Sequence, residues 1–292
     1  MKVNNESITV IGLGVMGSTL VKSLLNKQHP VTIWNRSIDK TKDLERLGAT
    51  VAPTFEEAIA ASDLILICVS TYGNVYELLN PVIEKLKGKQ LVNLSSGTYL
   101  DDVEMDKWAQ SNQFEYLSGA AMSGTQLVGQ EEALFIYSGA QHAYDRFSKF
   151  LQSFGQAVFL GTHPGHASLY DSSLYSVIWG ALTGFFQGAA LLNTKDVKPQ
   201  QFAAIAVKHL PFIAILMEKY ARQIENKNYL LDEGSLTVNA GAMDHLVQSS
   251  VDMGINPGFP QFTRSLIEKA ISKGHSENGI ASVYEVIQKD TV

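Results

Sequence analysis

The segment Ser7-Ile8-Thr9-Val10-Ile11 reads as a strand, and it runs straight into Gly12-Leu13-Gly14-Val15-Met16-Gly17. Met16, Leu20 and Leu24 then recur at helical spacing up to His29-Pro30. A strand that ends on GxGxxG and opens a helix has the form of a dinucleotide-binding βαβ unit. The first glycine permits the tight turn, the second lets the backbone approach a pyrophosphate, and the third lets the helix pack closely on the strand.

The pattern downstream agrees with that entry, because short β-rich runs alternate with helical ones, as a parallel sheet requires. Further strands are expected at 31–34, 49–51, 64–69, 90–95, 114–117, 133–138 and 157–161, with helices at 55–61, 74–86 and 143–154. After His163-Pro164-Gly165 the β-type runs largely stop. A long apolar helix is expected at 167–192, then helices at 199–222, 235–253, 261–273 and 281–288. The expected fold is α/β. It comprises an N-terminal Rossmann doubly wound sheet over residues 1–162, a long interdomain helix, and an all-α C-terminal domain over residues 163–292 for substrate binding and dimerisation.

Composition removes several function classes. With 292 residues, 45% hydrophobic and 18% charged, the chain can bury two cores. Its formal net charge of −6 is scattered, so no continuous cationic surface is offered to nucleic acid. Cys68 is the single cysteine, which precludes an internal disulfide and fits a reducing, cytoplasmic setting. Residues 1–10 lack the apolar stretch of a signal peptide. Residues 172–194 carry no charged side chain and have the length of a membrane span. Their serines, threonines and glycines, without flanking Lys/Arg clusters, point instead to a helix covered by protein.

The end of the second strand selects the cofactor. An acidic residue there would bind a free ribose 2′-hydroxyl, but the chain reads Trp34-Asn35-Arg36-Ser37, with Lys40 shortly after. A guanidinium, a hydroxyl and an ammonium suit a 2′-phosphate, so NADPH is expected, held by Gly12 to Gly17, Asn35, Arg36, Ser37 and Lys40. Ligands of open α/β sheets lie beyond the carboxyl ends of strands. That rule adds Val69, Ser70 and Thr71, and then Asn93 and Ser95, to the cofactor set, with Ser96 bordering substrate. No pair of histidines or carboxylates has metal-site spacing, so no metal is expected.

The glycine motif, the Trp34-Asn35-Arg36-Ser37 segment, Asn93-Leu94-Ser95-Ser96-Gly97-Thr98, Ala121-Met122-Ser123-Gly124 and Pro164-Gly165-His166-Ala167-Ser168-Leu169-Tyr170-Asp171 together resemble the β-hydroxyacid dehydrogenase superfamily, and within it the imine reductases. Hydroxyacid dehydrogenases place a lysine near the start of the interdomain helix and an asparagine one turn later. Neither is present between His166 and Tyr175. The resemblance therefore implies Tyr170 or Asp171 in the lysine's place, and the reading favours Tyr170, with Asp171 in a supporting role. An iminium carbon already carries the charge that attracts hydride, so a cationic lysine beside it would repel the substrate. Trp179, Met243 and His245, with Met122, are candidates to line an apolar pocket. The expected activity is hydride transfer from NADPH to the C=N carbon of a small-molecule imine. The alternatives are a β-hydroxyacid dehydrogenase-like oxidoreductase and a non-catalytic NADPH-binding protein. The resemblance also implies a homodimer with active sites shared between chains.

Overall fold

The computed structural model describes residues 6–231 and 233–288. The chain divides into two compact units, Met1–Ser176 and Val177–Val292. The first unit is built on an eight-stranded sheet in the order β3-β2-β1-β4-β5-β6-β7-β8. Its strands are β1 (Ile8–Ile11), β2 (Val31–Trp34), β3 (Thr50–Val51), β4 (Leu64–Ile67), β5 (Gln90–Asn93), β6 (Glu115–Ala121), β7 (Leu134–Gly139) and β8 (Gln156–Phe159). All neighbouring pairs are parallel except β6 with β7. The order reverses between β1 and β4, which is where a doubly wound sheet opens its ligand crevice.

Both faces of the sheet are covered, and β4 at its centre is apolar throughout. Along β4, Leu64 and Leu66 enter one core while Ile65 and Ile67 enter the other. The first core is closed by Leu20 and Leu24 of α1 (Val15–Asn26) and by Phe147 and Phe150 of α6 (Gln141–Leu151). The second is closed by Ile59 of α3 (Phe55–Ala61), Val75 and Leu79 of α4 (Tyr72–Leu79) and Met105 of α5 (Tyr99–Ser111). Between them in sequence lies α2 (Lys42–Arg46), a short helix that adds Leu44 to the first core.

Expectations change at α2, which the sequence reading did not place, and at two elements of the second core. The single helix expected over 74–86 is α4 followed by a 3₁₀ segment, Asn80–Leu86, because Pro81 lacks the N–H that an α-helix would use. The sequence reading placed no helix at Tyr99–Ser111, where α5 forms behind a capping box. The Thr98 hydroxyl accepts the Asp101 N–H and the Asp101 carboxylate accepts the Thr98 N–H.

Helix α7 (His166–Asn193) begins in the first unit and continues into the second, which also holds α8 (Pro199–Glu225), α9 (Leu236–Asp252), α10 (Gly258–Ala270) and α11 (Tyr284–Ile287). Leu236, Ala240, Ile267, Ala270 and Val286 form the small core of this unit. Phe185 of α7 stacks on Phe202 of α8, with ring centroids 5.3 Å apart. Gly180, Gly184 and Gly188 recur every four residues along α7 and serve this packing in part: Gly188 faces the Phe202 ring and Gly184 faces Phe259, while a Cβ at Gly180 would meet no other described residue within 4 Å.

Candidate active site

The glycine loop sits where the strand order reverses. Gly12 has φ +90°, and a Cβ there would overlap the Cys68 carbonyl oxygen at the end of β4. A Cβ at Gly17 would overlap the Gly12 carbonyl oxygen, so this glycine is what lets α1 close on the turn. Gly14 differs, since among the described residues a Cβ there would meet no non-neighbouring residue within 4 Å. The protein's own packing does not require glycine at that position, whereas the approach of an external phosphate does. No side chain caps α1 and no acidic residue lies in its first turn, so its free N–H groups favour an anion. Leu13 and Met16 turn their side chains into the core and leave backbone to the crevice, whereas Val15 is 78% exposed.

At the end of β2, Asn35 is a brace. Its Oδ1 accepts the Leu13 N–H at 2.9 Å and its Nδ2 donates to the Ser37 carbonyl at 3.0 Å, tying the glycine loop to the neighbouring strand end. Arg36, Ser37 and Lys40 are exposed beyond it. Asp39, the nearby acid, pairs with Lys42 at 2.7 Å, and among the described residues Arg36 and Lys40 form no ion pair. Two uncommitted cations and a hydroxyl thus stand where a ribose 2′-phosphate would fall, and the residues present fit NADPH.

The other strand ends build the crevice wall. Ser70 and Thr71 are exposed after β4, where Thr71 caps α4 by accepting the Asn74 N–H at 3.2 Å. The Val69 N–H donates to Ser95 Oγ at 3.0 Å, and the Ser95 N–H donates to Asn93 Oδ1 at 2.9 Å. Asn93 is fully buried and Ser95 nearly so, which revises the expectation that their side chains face the cofactor. They hold the strand ends together and leave backbone and the exposed Ser96 toward the crevice. Met122 is half-buried just past β6, its N–H bonded to the Leu134 carbonyl at 2.9 Å.

Tyr170 and Asp171 lie in the early turns of α7, within the first unit. The Tyr170 side chain is exposed, whereas Asp171 is half-buried. Burial raises the Asp171 carboxyl above the ordinary carboxylate range. Trp179, Met243 and His245 belong to the second unit. Trp179 and His245 are exposed there, and Met243 packs against the core of that unit.

The sequence reading missed the polar cluster beneath these strand ends. Asp102 of α5 is fully buried, and its carboxylate accepts hydroxyl hydrogens from Tyr72, Tyr116 and Ser168. Burial and the neighbouring Asp102 carboxylate push the Tyr72 phenol far above its usual range, so it remains a donor. Asp102 shares the i, i+3, i+7 stripe of Met105 and Ala109, and a carboxylate on an otherwise apolar stripe is the signal that could have found it.

Fold and crevice together define a Rossmann-type dinucleotide-binding protein with a helical second half. Residues 7–162 match the NAD binding domain of 6-phosphogluconate dehydrogenase, and residues 163–289 match the C-terminal domain of NADPH-dependent reductive aminase-like proteins. An NADPH-dependent reductive aminase of Aspergillus oryzae is 25% identical over 285 residues, covering 96% of this chain and 97% of that protein. An imine reductase from Myxococcus stipitatus, solved in complex with NADP+, superimposes with a TM-score of 0.90 at 30% identity, covering 97% of this chain and 100% of the other. A reductive aminase from Aspergillus terreus in complex with NADPH and ethyl levulinate gives 0.91 at 28% identity, covering 97% and 99%. The chain belongs to the imine reductase and reductive aminase family.

Proposed function

We propose that this protein is an NADPH-dependent imine reductase that converts the C=N bond of an imine or iminium ion to an amine. The observation that carries this reading is the start of α7, which offers Tyr170 and a half-buried Asp171 and has no lysine anywhere along its length. A hydroxyacid dehydrogenase would need a cation to manage the alkoxide proton, whereas a carboxyl group suits a substrate that becomes cationic. The lysine-free helix therefore disfavours the hydroxyacid reading.

The glycine loop and the N-terminus of α1 hold the pyrophosphate, and Arg36, Ser37 and Lys40 hold the 2′-phosphate. When bound, NADPH supplies the hydride. Asp171, held protonated at higher pH than an exposed carboxyl, gives its proton to the substrate nitrogen, and the resulting carboxylate faces the iminium charge. It regains a proton from water after the amine leaves. This assignment reverses the roles expected from sequence, because Tyr170 is exposed and Asp171 half-buried. Side chains at neighbouring helical positions diverge by about 100°, so Tyr170 serves by orienting the substrate and not by sharing the same atom. Ser96 and Met122 in the first unit, and Trp179, Met243 and His245 in the second, are each assigned a substrate-contacting role in this reading. Residues 1–162 bind the nucleotide and residues 163–292 provide substrate binding and dimerisation. The protein works in the cytoplasm as a homodimer with shared sites, and neither nucleic acid nor a membrane takes part. The dimer is supported by the exposed apolar side chains of α7 and α8, among them Trp179 at 58% and Ile205 at 65%.

The test follows NADPH absorbance with a small cyclic imine such as 2-methylpyrroline, beside a ketone and, in reverse with NADP+, a 3-hydroxyacid. Oxidation of NADPH by the imine alone is expected. Turnover of the hydroxyacid but not the imine overturns the proposal, as does NADPH binding without turnover of any imine.

A further inference from the structure

The buried cluster around Asp102 joins the loops that follow β4 and β5 to the first turn of α7. Tyr72 opens α4 directly after Ser70 and Thr71, and its hydroxyl donates to Asp102 Oδ1. Its ring lies under the 95–98 loop so closely that a Cβ at Gly97 would overlap it. Tyr116, from β6, donates to the same Oδ1 at 2.6 Å and accepts Asn93 Nδ2–H at 3.3 Å. Asn93 then holds Ser95, and Ser95 holds Val69. On the other side of the carboxylate, Oδ2 accepts the hydroxyl of Ser168, in the first turn of α7.

A second bond fixes the same turn. Ser138 of β7 accepts the Ala167 N–H at 2.8 Å and donates to the Pro164 carbonyl at 2.7 Å. Ser138 sets where the helix begins, and Ser168 sets how it is rotated. At about 100° per residue, Asp171 lies roughly 60° around the helix from Ser168, while Tyr170 lies roughly 160° away. Clamping Ser168 to Asp102 therefore turns Asp171 toward the body of the unit and Tyr170 outward, which matches their half-buried and exposed states.

Packing alone does not call for this arrangement. Among the described residues no lysine or arginine pairs with Asp102, and a carboxylate buried with hydroxyls alone is a poor route to stability compared with an apolar side chain of similar size. Hydroxyl donors with fixed directions do supply a defined geometry.

We propose that Asp102 is a positioning residue for imine reduction. Through Ser168 it sets the rotation of the first turns of α7, and through Tyr72 and Tyr116 it sets the crevice wall, so that Asp171 stands in reach of the substrate nitrogen. The inference rests on the imine-reductase reading and on the role given there to Asp171.

Ser168→Ala is the primary variant, because it removes one hydroxyl and leaves the carboxylate with both phenols. Asp102→Asn is the second, keeping the shape of the side chain and an acceptor for the tyrosines. Each is made alone, together, and in an Asp171→Asn background, and is followed by single-turnover reduction of 2-methylpyrroline at saturating NADPH, with NADPH affinity measured by fluorescence. Ser168→Ala is expected to slow the turnover about 10-fold or more, the loss typical of a catalytic group moved by a fraction of an ångström, and to leave NADPH affinity within about twofold. The double variant is expected to lose much less than the product of the singles, and Ser168→Ala in the Asp171→Asn background is expected to lose less than about twofold further. Full turnover by Ser168→Ala in a parent that reduces the imine overturns the positioning role alone. An undiminished loss in the Asp171→Asn background, or a parallel loss of NADPH affinity, also overturns it. A parent that fails to reduce any imine overturns the functional reading, and this inference with it.

Discussion

The charge at Arg36 and the burial of Asp171 make separate predictions about single residues. Arg36 and Lys40 are exposed and, among the described residues, have no acidic partner, so their attraction is available to a phosphate. Arg36→Ala is expected to weaken NADPH by on the order of 1.5 to 3 kcal/mol, the worth of a charge-assisted hydrogen bond, while NADH affinity changes little. Titration of both cofactors by fluorescence checks this, and an equal loss for both would remove Arg36 from the 2′-phosphate site. For Asp171 the raised carboxyl fixes the sign of the pH effect: the protonated form is the proton donor, so imine reduction falls as pH rises through the raised value. The same shift acts on stability in the folded state. The group's contribution is fully present below the ordinary carboxylate value and is lost as pH rises through the raised one. Asp171→Asn should therefore flatten the pH–rate profile, and raise Tm relative to the parent at neutral pH with the gain vanishing in acid. A profile unchanged by the substitution assigns the acid role elsewhere, with Tyr170→Phe as the next variant to measure.

Helices show what local pattern can and cannot reveal. The register of α1, β1 and β2 was legible because one motif requires all three, and the boundaries of α8 and α9 were legible from apolar periodicity. Helix α5 was not, because its sequence Tyr-Leu-Asp-Asp-Val-Glu-Met-Asp-Lys-Trp-Ala-Gln-Ser mixes acids into both faces and blurs the helical period. Only its cap, Thr98 with Asp101, announces it. The contacts of Asp102 were illegible for a different reason, since its partners Tyr72, Tyr116 and Ser168 lie on three other elements. No local spacing encodes such a meeting. The cap is itself testable. Thr98→Ala removes an acceptor from the first turn of α5 and is expected to cost about 1 kcal/mol in urea unfolding, as loss of an N-cap usually does. An unchanged midpoint would mean that the tertiary contacts of α5, and not its cap, hold the end that carries Asp102.

For the whole molecule the decisive feature is the pair of long helices. Both α7 and α8 are long and apolar enough, by length and composition, to cross a membrane, and along them Val177, Ile178, Trp179, Phe186, Ile205, Val207, Leu210 and Ile215 are exposed in the single chain. The sequence reading expected α7 to be covered by protein, and the described residues of one chain do not supply that cover. A second copy is the economical occupant. It adds no new sequence, and a self-complementary contact between long apolar helices can bury the well over about 2,000 Å² typical of obligate homodimers. The face is also unlike a lipid-facing one, because α8 carries Lys208, Glu218, Lys219 and Arg222 within its length. The expectation is twice the chain mass by sedimentation at low micromolar concentration, unchanged by dilution until activity is lost with it. Replacing Trp179 and Ile205 together by charged residues is expected to give a monomer without imine reduction but with NADPH affinity retained, since the glycine loop and Arg36 belong to the other unit. A parent that sediments as an active monomer refutes the dimer and the shared site together, and a parent that pellets with phospholipid vesicles refutes the choice of a second copy over a bilayer.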